Sequence, residues 1–322
     1  ARPAGTPGGA RFARNVATLV RGERDAETLR AVLSGDIPDF LRRLQPVELR
    51  AYSSDGRPLH ATVCVMPDYL AVGNDQDFLR MPMGLKAATE VAARLGFVLP
   101  TPRMVDAIYR ESARHLRPQP LSAGPAMRST AYFTRHNADI VAQLKRLGIA
   151  PGVLLAGHKK DVVISNRMDT HPGRIAIYGW HQTNGEPIQP LSTAHGVEYV
   201  DYSHGIRLVS DVMLLNGKVT SVHKVLANAR LAPVLSDEGP VPGAAQRRIH
   251  RREDHDPVGA GAVGDVALAA RDDPACAVAA AARADAGHVA AGAGLRQRVG
   301  AVAQARLGED RHEARALLLG PH

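Results

Sequence analysis

The sequence predicts an α+β fold, with a helix-rich N-terminal half packed with a largely antiparallel sheet and followed by an Ala/Arg/Gly-rich tail. Apolar residues recur at helical spacing in most segments up to Leu147, whereas short strand-like runs dominate from Val153 onwards. Asn216-Gly217, between two such runs, is the strongest hairpin signal of the chain. Helices first and strands later, with little alternation of the two, favour α+β over a doubly wound sheet.

The first half is expected to contain helices and one early hairpin. A helical run covers residues 12–44 and is broken at Ser34-Gly35-Asp36, where Asp36 would cap a short second helix. Alternating polarity after this run predicts a β-hairpin. The remaining predicted elements are, in chain order, hairpin strands at 47–51 and 59–65, a strand at 69–72, and helices at 85–95, 102–115 and 137–147.

The second half is expected to be rich in strands, several of which end in polar side chains. Such side chains at strand ends are how a rigid sheet presents chemistry to a ligand. The predicted strands lie at residues 153–156, 161–165, 174–178, 198–202 and 206–210, followed by the hairpin of 212–215 and 218–221.

Residues 12–238 form the predicted single domain that carries the site, after a flexible lead of residues 1–11. From Asp237 to His322 the chain has no Ser, Thr, Lys, Asn, Met, Phe, Tyr or Trp. Two interpretations of residues 239–322 stay open. They are a low-complexity extension that cannot bury enough apolar surface to fold, or a G+C-rich gene read in a shifted frame. Neither assigns this tail a function.

Charge and hydropathy narrow the classes of partner. Residues 239–322 hold eleven Arg and ten acidic residues, so +7 of the formal +8 belongs to residues 1–238. This excess is scattered and does not form the basic stripe with interleaved aromatics that nucleic-acid binders show. No apolar run approaches the roughly 20 residues of a membrane span. The Pro/Gly-rich start predicts an extracytoplasmic protein, secreted or periplasmic, whose signal sequence has been removed or is missing from the sequence.

The main candidate active site comprises Asp201, Ser203, His204 and Arg207. On one continuous strand, Asp201 and Ser203 would share a face and His204 would lie on the other, unless Gly205 bends the chain. His204 would then act as general base, Ser203 as nucleophile or hydrogen-bond donor, and Arg207 as an anion clamp. The alternative is a buried polar network that only fixes a strand end.

The segment 157–161 supplies a second candidate, for anion binding. His158 and Lys160 follow an apolar strand and would hold a carboxylate or phosphate, with Asp161 as the partner of Lys160. The alternative is a solvated turn between two strands.

The segment 178–181 supplies an aromatic candidate. Tyr178 and Trp180 flank Gly179 and would form a flat wall for a sugar or peptide, with His181 as acid, base or ligand. The alternative is an aromatic pair in the core with His181 at the surface.

A metal site is the third kind of candidate. Imidazole and carboxylate donors at the mouth of a sheet would suit Zn²⁺. None of their spacings matches a signature such as HExxH, so the metal and any other cofactor stay unknown. The pooled donors are His158, His181, His195, Asp201 and His204.

Residues 203–208 resemble the active-site signature of the L,D-transpeptidases, which cross-link peptidoglycan. That signature reads Ser-His-Gly-Cys, an aliphatic residue, Arg and a further aliphatic residue, and an upstream His-Gly pair could be His195-Gly196. The nucleophilic Cys is missing between Gly205 and Ile206. Without a thiolate the acyl-enzyme chemistry of that family is impossible.

Residues 12–210 also resemble a family of exported bacterial proteins. The resemblance is carried by phrases such as Ile177-Tyr178-Gly179-Trp180-His181 and the stretch from Asp201 to Val209. It implies a secreted or periplasmic setting and supports residues 12–238 as the domain, but it implies no activity.

The leading hypothesis is an exported hydrolase or transferase that acts on a cell-envelope or extracellular polymer, or on a small anionic substrate. The alternatives are a non-catalytic carbohydrate- or peptide-binding module and a zinc-dependent hydrolase. The enzyme hypothesis requires at least two of His158, His181 and His204 within hydrogen-bond or shared-metal reach in one cleft.

Overall fold

A computed structural model describes residues 2–242 and has the predicted α+β fold. None of the α-helices in these residues is long and apolar enough to cross a membrane. In chain order they are α1 (Gly9–Asn15), α2 (Arg21–Leu33), α3 (Leu85–Leu95), α4 (Pro102–Glu111), α5 (Thr130–Arg146), α6 (Arg167–Thr170) and α7 (Val222–Ala227).

The strands of the described residues form two sheets and two isolated pairs. In chain order they are β1 (Gln45–Tyr52), β2 (Pro58–Val65), β3 (Ala71–Gly73), β4 (Phe78–Arg80), β5 (Phe97–Val98), β6 (Arg114–His115), β7 (Leu155–Ala156), β8 (Lys160–Val163), β9 (Ala176–His181), β10 (Pro187–Ser192), β11 (His204–Gly205), β12 (Val209–Leu215) and β13 (Lys218–Ser221).

The larger sheet is antiparallel, with its strands in the order β1-β2-β12-β13 and with β5 paired to β12. Both predicted hairpins are present in it. Asn216 and Gly217 connect β12 to β13 with φ of 50° and 76°, the positive values that a type I′ turn needs. The buried side chains Val47, Ala61 and Val63 of this sheet belong to the main core.

The smaller sheet has the order β10-β9-β8-β11. Strand β11 is only two residues long and runs parallel to β8, which places His204 beside Lys160. The sequence does not predict β10, because prolines at 187 and 190 interrupt the pattern. They are tolerated because β10 is an edge strand. The parallel pairing brings the two polar segments, 158–161 and 201–207, together.

Capping residues and strand pairing determine where the helices begin and end. Helix α3 has the predicted bounds, since Gly96 takes the left-handed conformation of a C-cap. Helix α4 ends at Glu111, four residues before the predicted end, because Arg114 and His115 form β6 and pair with β7. Helix α5 begins at Thr130 and not at residue 137, because the Ser129 hydroxyl caps it by accepting a backbone N–H.

The expected helical run of residues 12–44 is divided into α1, α2 and a 3₁₀ turn at Asp39–Arg42. Asp36 does not cap that turn. Pro38 occupies the N-cap, and the Asp36 carboxylate accepts a hydrogen bond from Arg2 Nε at 2.6 Å. This bond ties the lead that precedes residue 12 to the domain.

Residues 198–202 do not form the predicted strand. The Asp201 carboxylate accepts the Ser203 backbone N–H at 2.7 Å, and the His204 N–H donates to the Asp201 carbonyl at 3.2 Å. These local bonds compete with strand pairing. The next long strand begins at Val209 instead of residue 206. The placement of Asp201 and His204 on opposite faces of one strand is therefore wrong, because a turn separates Asp201 from His204, which begins β11.

The described fold continues past residue 238. The Asn166 amide donates to the carbonyls of Glu238 and Pro240, at 3.1 and 2.8 Å. The Val241 N–H donates to Leu226 O at 2.8 Å. Most of the predicted tail of 239–322, from residue 243 onwards, lies outside the described residues.

The core holds polar groups as well as apolar ones. Helices α3 and α4 contact the larger sheet, and α2 packs against α3, around a main apolar cluster. Ser203 and His204 are 0% exposed and Arg207 is 1% exposed. Buried polar groups cost free energy unless they are hydrogen-bonded, so the contacts of each group indicate its role.

Candidate active site

Glycines with positive φ shape the backbone around the buried polar groups. At Gly157 (φ 94°) an added Cβ would lie 2.5 Å from Leu116 O. Gly179 (φ 102°) precedes Trp180, whose own φ is 55°. A positive φ at tryptophan is strained by about 1 kcal/mol or more. This conformation allows the backbone N–H of Trp180 to donate to Lys159 O at 3.1 Å.

The parallel pairing of β11 with β8 builds a buried group that we call the strand-end cluster. Its hydrogen-bonded link is the Lys160 N–H, which donates to Ser203 O at 2.8 Å. The cluster consists of Lys159, Asp201, Ser203 and His204. Three half-buried side chains adjoin it, namely Lys160, His195 and Tyr199.

Asp201 is held by its neighbours in the strand-end cluster. Its Oδ1 accepts hydrogen bonds from the Ser203 backbone N–H (2.7 Å) and the Ser203 hydroxyl (2.5 Å), and its Oδ2 accepts one from the Tyr199 hydroxyl (3.2 Å). Burial raises the pKa of Asp201, but the interaction with His204 and the bonds from Ser203 outweigh it and lower this pKa. Asp201 is therefore an ionised carboxylate, and the hydroxyl of Ser203 points to it and not to His204.

His204 is the least satisfied group of the strand-end cluster. Neither of its ring nitrogens has a hydrogen-bond partner among the described residues. Its Nε2 lies 3.8 Å from Asp201 Oδ2. Burial lowers the pKa of His204 to about 4, although Asp201 acts in the opposite direction. The ring is thus a neutral imidazole beside a carboxylate, the form that accepts a proton.

Lys159 is a buried cation that the sequence interpretation passes over in favour of Lys160. It is 2% exposed, and its Nζ donates to Tyr202 O at 2.6 Å. Burial lowers the pKa of Lys159 to about 7, and Arg80 acts in the same direction. Lys160 is only half buried and lies 5.2 Å from the Trp180 ring centre. Lys159 directly precedes β8, and the alternation of sides along an extended chain is the signal that could distinguish the two lysines.

Tyr69 explains the glycine in Ser203-His204-Gly205. A Cβ at Gly205 would lie 2.4 Å from Tyr69 Cδ1, closer than any real contact. The Tyr69 hydroxyl donates to Asp161 Oδ2 at 2.8 Å. Burial raises the pKa of Asp161 to about 6, although Arg207 opposes this. Gly205 is required here by close packing, since its φ is not in the left-handed region.

Arg207 is committed to the protein's own backbone. Its guanidinium donates to Met66 O (2.9 Å) and Leu155 O (2.7 Å) and lies over the Tyr69 ring at 4.3 Å. Its Nε lies 3.9 Å from Asp161 Oδ1. The structure thus gives Arg207 the role of joining three segments of chain, and the predicted anion clamp is not formed by this side chain.

His158 belongs to a second buried group, which we call the Arg80 network. Asp68 accepts from Arg80 Nε at 3.0 Å and Arg80 Nη2 at 2.5 Å, and Asn137 Oδ1 accepts from Arg80 Nη1 at 3.0 Å. His158 Nε2 lies 2.9 Å from Asp68 Oδ1. Burial lowers the pKa of His158 to about 4, although Asp68 acts in the opposite direction. The network consists of Asp68, Arg80, Asn137 and His158.

His181 pairs with a carboxylate of its own. Its Nε2 lies 3.0 Å from Asp106 Oδ1, which also accepts from the Tyr178 hydroxyl at 2.9 Å. The ring stacks on Tyr109 at 4.6 Å, and Tyr109 stacks on His115 at 4.0 Å. The three predicted histidines 158, 181 and 204 therefore contact three different carboxylates. The pair of histidines in hydrogen-bond reach that the enzyme hypothesis required is not formed, so any acid–base pair here consists of one histidine and its own carboxylate.

Trp180 and Tyr178 do not share one open face. Trp180 is 6% exposed and packs edge-on against His136 and Tyr202, with ring centres 6.4 Å apart in each case. Tyr178 is half buried and bonded to Asp106. The two side chains therefore do not form the predicted flat wall for a sugar or peptide, because Trp180 packs in a buried aromatic group with His136 and Tyr202.

Within residues 2–242, no three His, Cys, Asp or Glu side chains lie close enough together to hold a metal ion. The pooled zinc donors are separated, since His158 and His181 have different partners. His195 stacks on Tyr199 at 3.9 Å, and Tyr199 lies 5.7 Å from the His204 ring. Tyr199 therefore contacts two of the pooled donors, His195 and His204.

Comparisons with protein-family models, with curated proteins and with solved structures find no match to this chain.

Proposed function

We propose that the protein is a hydrolase or transferase whose acid–base group is His204. The observation that carries the proposal is a fully buried imidazole whose two ring nitrogens have no partner among the described residues, 3.8 Å from an ionised carboxylate. A buried polar group of this kind needs a reason, and catalysis is a common one.

The proposed chemistry uses the contacts of Asp201 and His204. His204 takes a proton from the attacking hydroxyl or water, and Asp201 stabilises the imidazolium that forms. His204 then gives the proton to the leaving group, which restores the neutral ring. Ser203 fixes Asp201 through two hydrogen bonds, so it acts as a positioning residue.

The proposed substrate is a cell-envelope or extracellular polymer, and the proposed setting is extracytoplasmic. Both rest on the resemblance to exported bacterial proteins and on the Ser-His-Gly motif shared with the L,D-transpeptidases. Because the cysteine of that motif is missing, the proposed attack is by water or by an acceptor hydroxyl and not by a thiolate.

The test incubates the full-length chain with peptidoglycan or with extracellular polysaccharide. Mass spectrometry then measures the soluble fragments that are released. We expect His204→Gln to lose at least about 100-fold in rate, the usual contribution of a general acid–base group. His223→Gln is the matched control, because His223 also contacts a carboxylate, Asp211, at 2.7 Å but belongs to α7. Equal rates for wild type and His204→Gln, or no release by the wild type, would contradict the proposal.

A further inference from the structure

Three buried nitrogen donors surround Tyr202 next to the strand-end cluster. Lys159 Nζ is bonded to the Tyr202 carbonyl at 2.6 Å. The rings of His136 and Trp180 contact the Tyr202 ring edge-on, with centres 4.9 and 6.4 Å away. His136 is 0% exposed and Trp180 is 6% exposed. None of the three side chains is near enough to bulk water to be satisfied by it.

These donors outnumber the acceptors that the protein offers. Among the described residues, Trp180 Nε1 and both ring nitrogens of His136 have no hydrogen-bond partner. An indole has only a donor, a neutral imidazole has one, and a lysine ammonium has three. The nearby carboxylates are already engaged, Asp201 by Ser203 and Tyr199, and Asp68 by Arg80. Buried donors without acceptors cost free energy.

The charge of this region is positive, and it therefore favours the same kind of ligand as the surplus of donors, namely an anion. Asp68 is paired with Arg80, and Asp161 lies 3.9 Å from Arg207. Lys159 and Lys160 remain. Asp201 acts on both lysines, and Asp68 acts on Lys159 as well. Because Asp68 is already paired with Arg80, a further negative charge would stabilise the protonated lysines.

We propose that Lys159, His136 and Trp180 form a binding site for an oxyanion, the carboxylate or phosphoryl group of a ligand. Oxygen atoms of such a group accept from several donors at once, and charge-assisted bonds to lysine are stronger than neutral ones. The inference rests on the proposed function in one respect, since it names the group of the substrate that would be held beside His204. It assigns anion binding to Lys159 and not to Arg207.

Trp180 is the only tryptophan of the chain, so its indole reports on this site alone. The experiment titrates inorganic phosphate, and separately acetate, into the full-length chain at constant ionic strength. The ¹⁵N–¹H resonance of the indole and its fluorescence are followed. We expect a saturable shift with an apparent Kd below about 10 mM for one of the two anions. Phosphate and acetate distinguish a phosphoryl from a carboxylate ligand.

Two variants test the assignment. Lys159→Met should weaken binding at least about 10-fold, because it removes a charge-assisted bond. Lys218→Met is the matched control, with the same change of charge on an exposed residue of β13, and should change binding less than about 3-fold. His136→Phe keeps the Trp180 indole as the reporter and should also weaken anion binding. This variant tests the assignment if Lys159→Met does not fold. Equal effects of both lysine variants would overturn the proposal.

Binding and turnover separate the two proposals. A saturable shift in a chain that turns over no polymer supports the anion site and contradicts the hydrolase or transferase. The absence of a saturable shift for both anions, in a chain whose fragment release depends on His204, overturns the anion site and leaves the proposed function in place.

Discussion

The Arg80 network and the strand-end cluster are both buried and charged, but they differ in how far their hydrogen bonds are completed. In the Arg80 network, Asp68 faces two guanidinium nitrogens and His158, and Asn137 takes a further guanidinium N–H. In the strand-end cluster, His204 has no hydrogen-bond partner among the described residues, and Lys159 donates to one carbonyl. Desolvation costs free energy in both groups.

The difference distinguishes a network whose hydrogen bonds are nearly complete from a cluster that a ligand could complete. A network whose partners saturate one another fixes the fold and has little left to offer a ligand, apart from His158 Nδ1, which has no partner among residues 2–242. A cluster with unsatisfied donors is stabilised by a ligand that completes it. Burial alone does not distinguish the two cases, since both are almost inaccessible to solvent.

The largest expected effect is on the Arg80 network. Arg80→Met leaves the Asp68 carboxylate buried without its main partner, so we expect the free energy of unfolding to fall by about 3–5 kcal/mol. Urea unfolding at pH 7 measures it. Lys159→Met, which removes a buried cation that has no carboxylate bonded to it, should cost less than about 1 kcal/mol. If both variants lose the same free energy, the distinction between the two groups is wrong.

Acid should destabilise both groups through their histidines. Burial lowers the pKa of His158 and of His204 to about 4, and that of His136 to about 2, from 6.5. Because the unfolded chain binds more protons below pH 6.5, stability falls as the pH falls from 6.5 to 4. Asp161 acts in the opposite direction, since its pKa is raised from 3.8 to about 6.

We expect the histidines to outweigh Asp161, with a loss of more than about 2 kcal/mol between pH 7 and pH 5. Urea midpoints measured across this range test the sign. His204→Leu should flatten the curve, and Asp161→Asn should steepen it. Stability that stays constant or rises toward pH 5 would show that these histidines are not buried in neutral form.

Packing at Gly205 gives an intermediate effect. Gly205→Ala forces a methyl group against the Tyr69 ring, and we expect a loss of about 1–3 kcal/mol together with a disturbed bond between Tyr69 and Asp161. Thermal unfolding and the crystal structure of the variant measure both. Gly196→Ala is the control, because its nearest neighbour would be 3.9 Å away. Equal losses would show that Tyr69 does not require this glycine.

The smallest expected effect compares the two buried histidines. His204→Leu removes a ring without hydrogen bonds, so the free energy of unfolding at pH 7 should change by less than about 1 kcal/mol. His158→Leu removes a partner of Asp68 and should cost about 1–3 kcal/mol. Chemical denaturation of both variants tests this, and a larger loss for His204→Leu would assign the strand-end cluster a structural role.

Local patterns could be predicted from the sequence wherever neighbouring residues decide the structure. The hairpin at Asn216-Gly217 and the end of α3 at Gly96 are such cases, because backbone sterics act within a few residues. The start of α5 was missed because Ser129, a capping residue, lies outside the apolar pattern.

The sequence predicts residues of the candidate site but not the partners that the structure gives them. The partners of His158 and His181 are Asp68 and Asp106, about 90 and 75 residues away along the chain. No spacing rule connects such pairs. The turn at Asp201 was mistaken for a strand, because one side-chain bond to Ser203 outweighed the strand-like composition.

The two-residue strand β11 also has a consequence for how the site comes into being. It joins β8 across some forty residues of intervening chain, and Arg207 reaches back to Met66 O. Contacts between such distant segments carry a larger loop-closure cost than local ones. A chain cut between β8 and β11 would therefore have to reassemble its two pieces to regain the site.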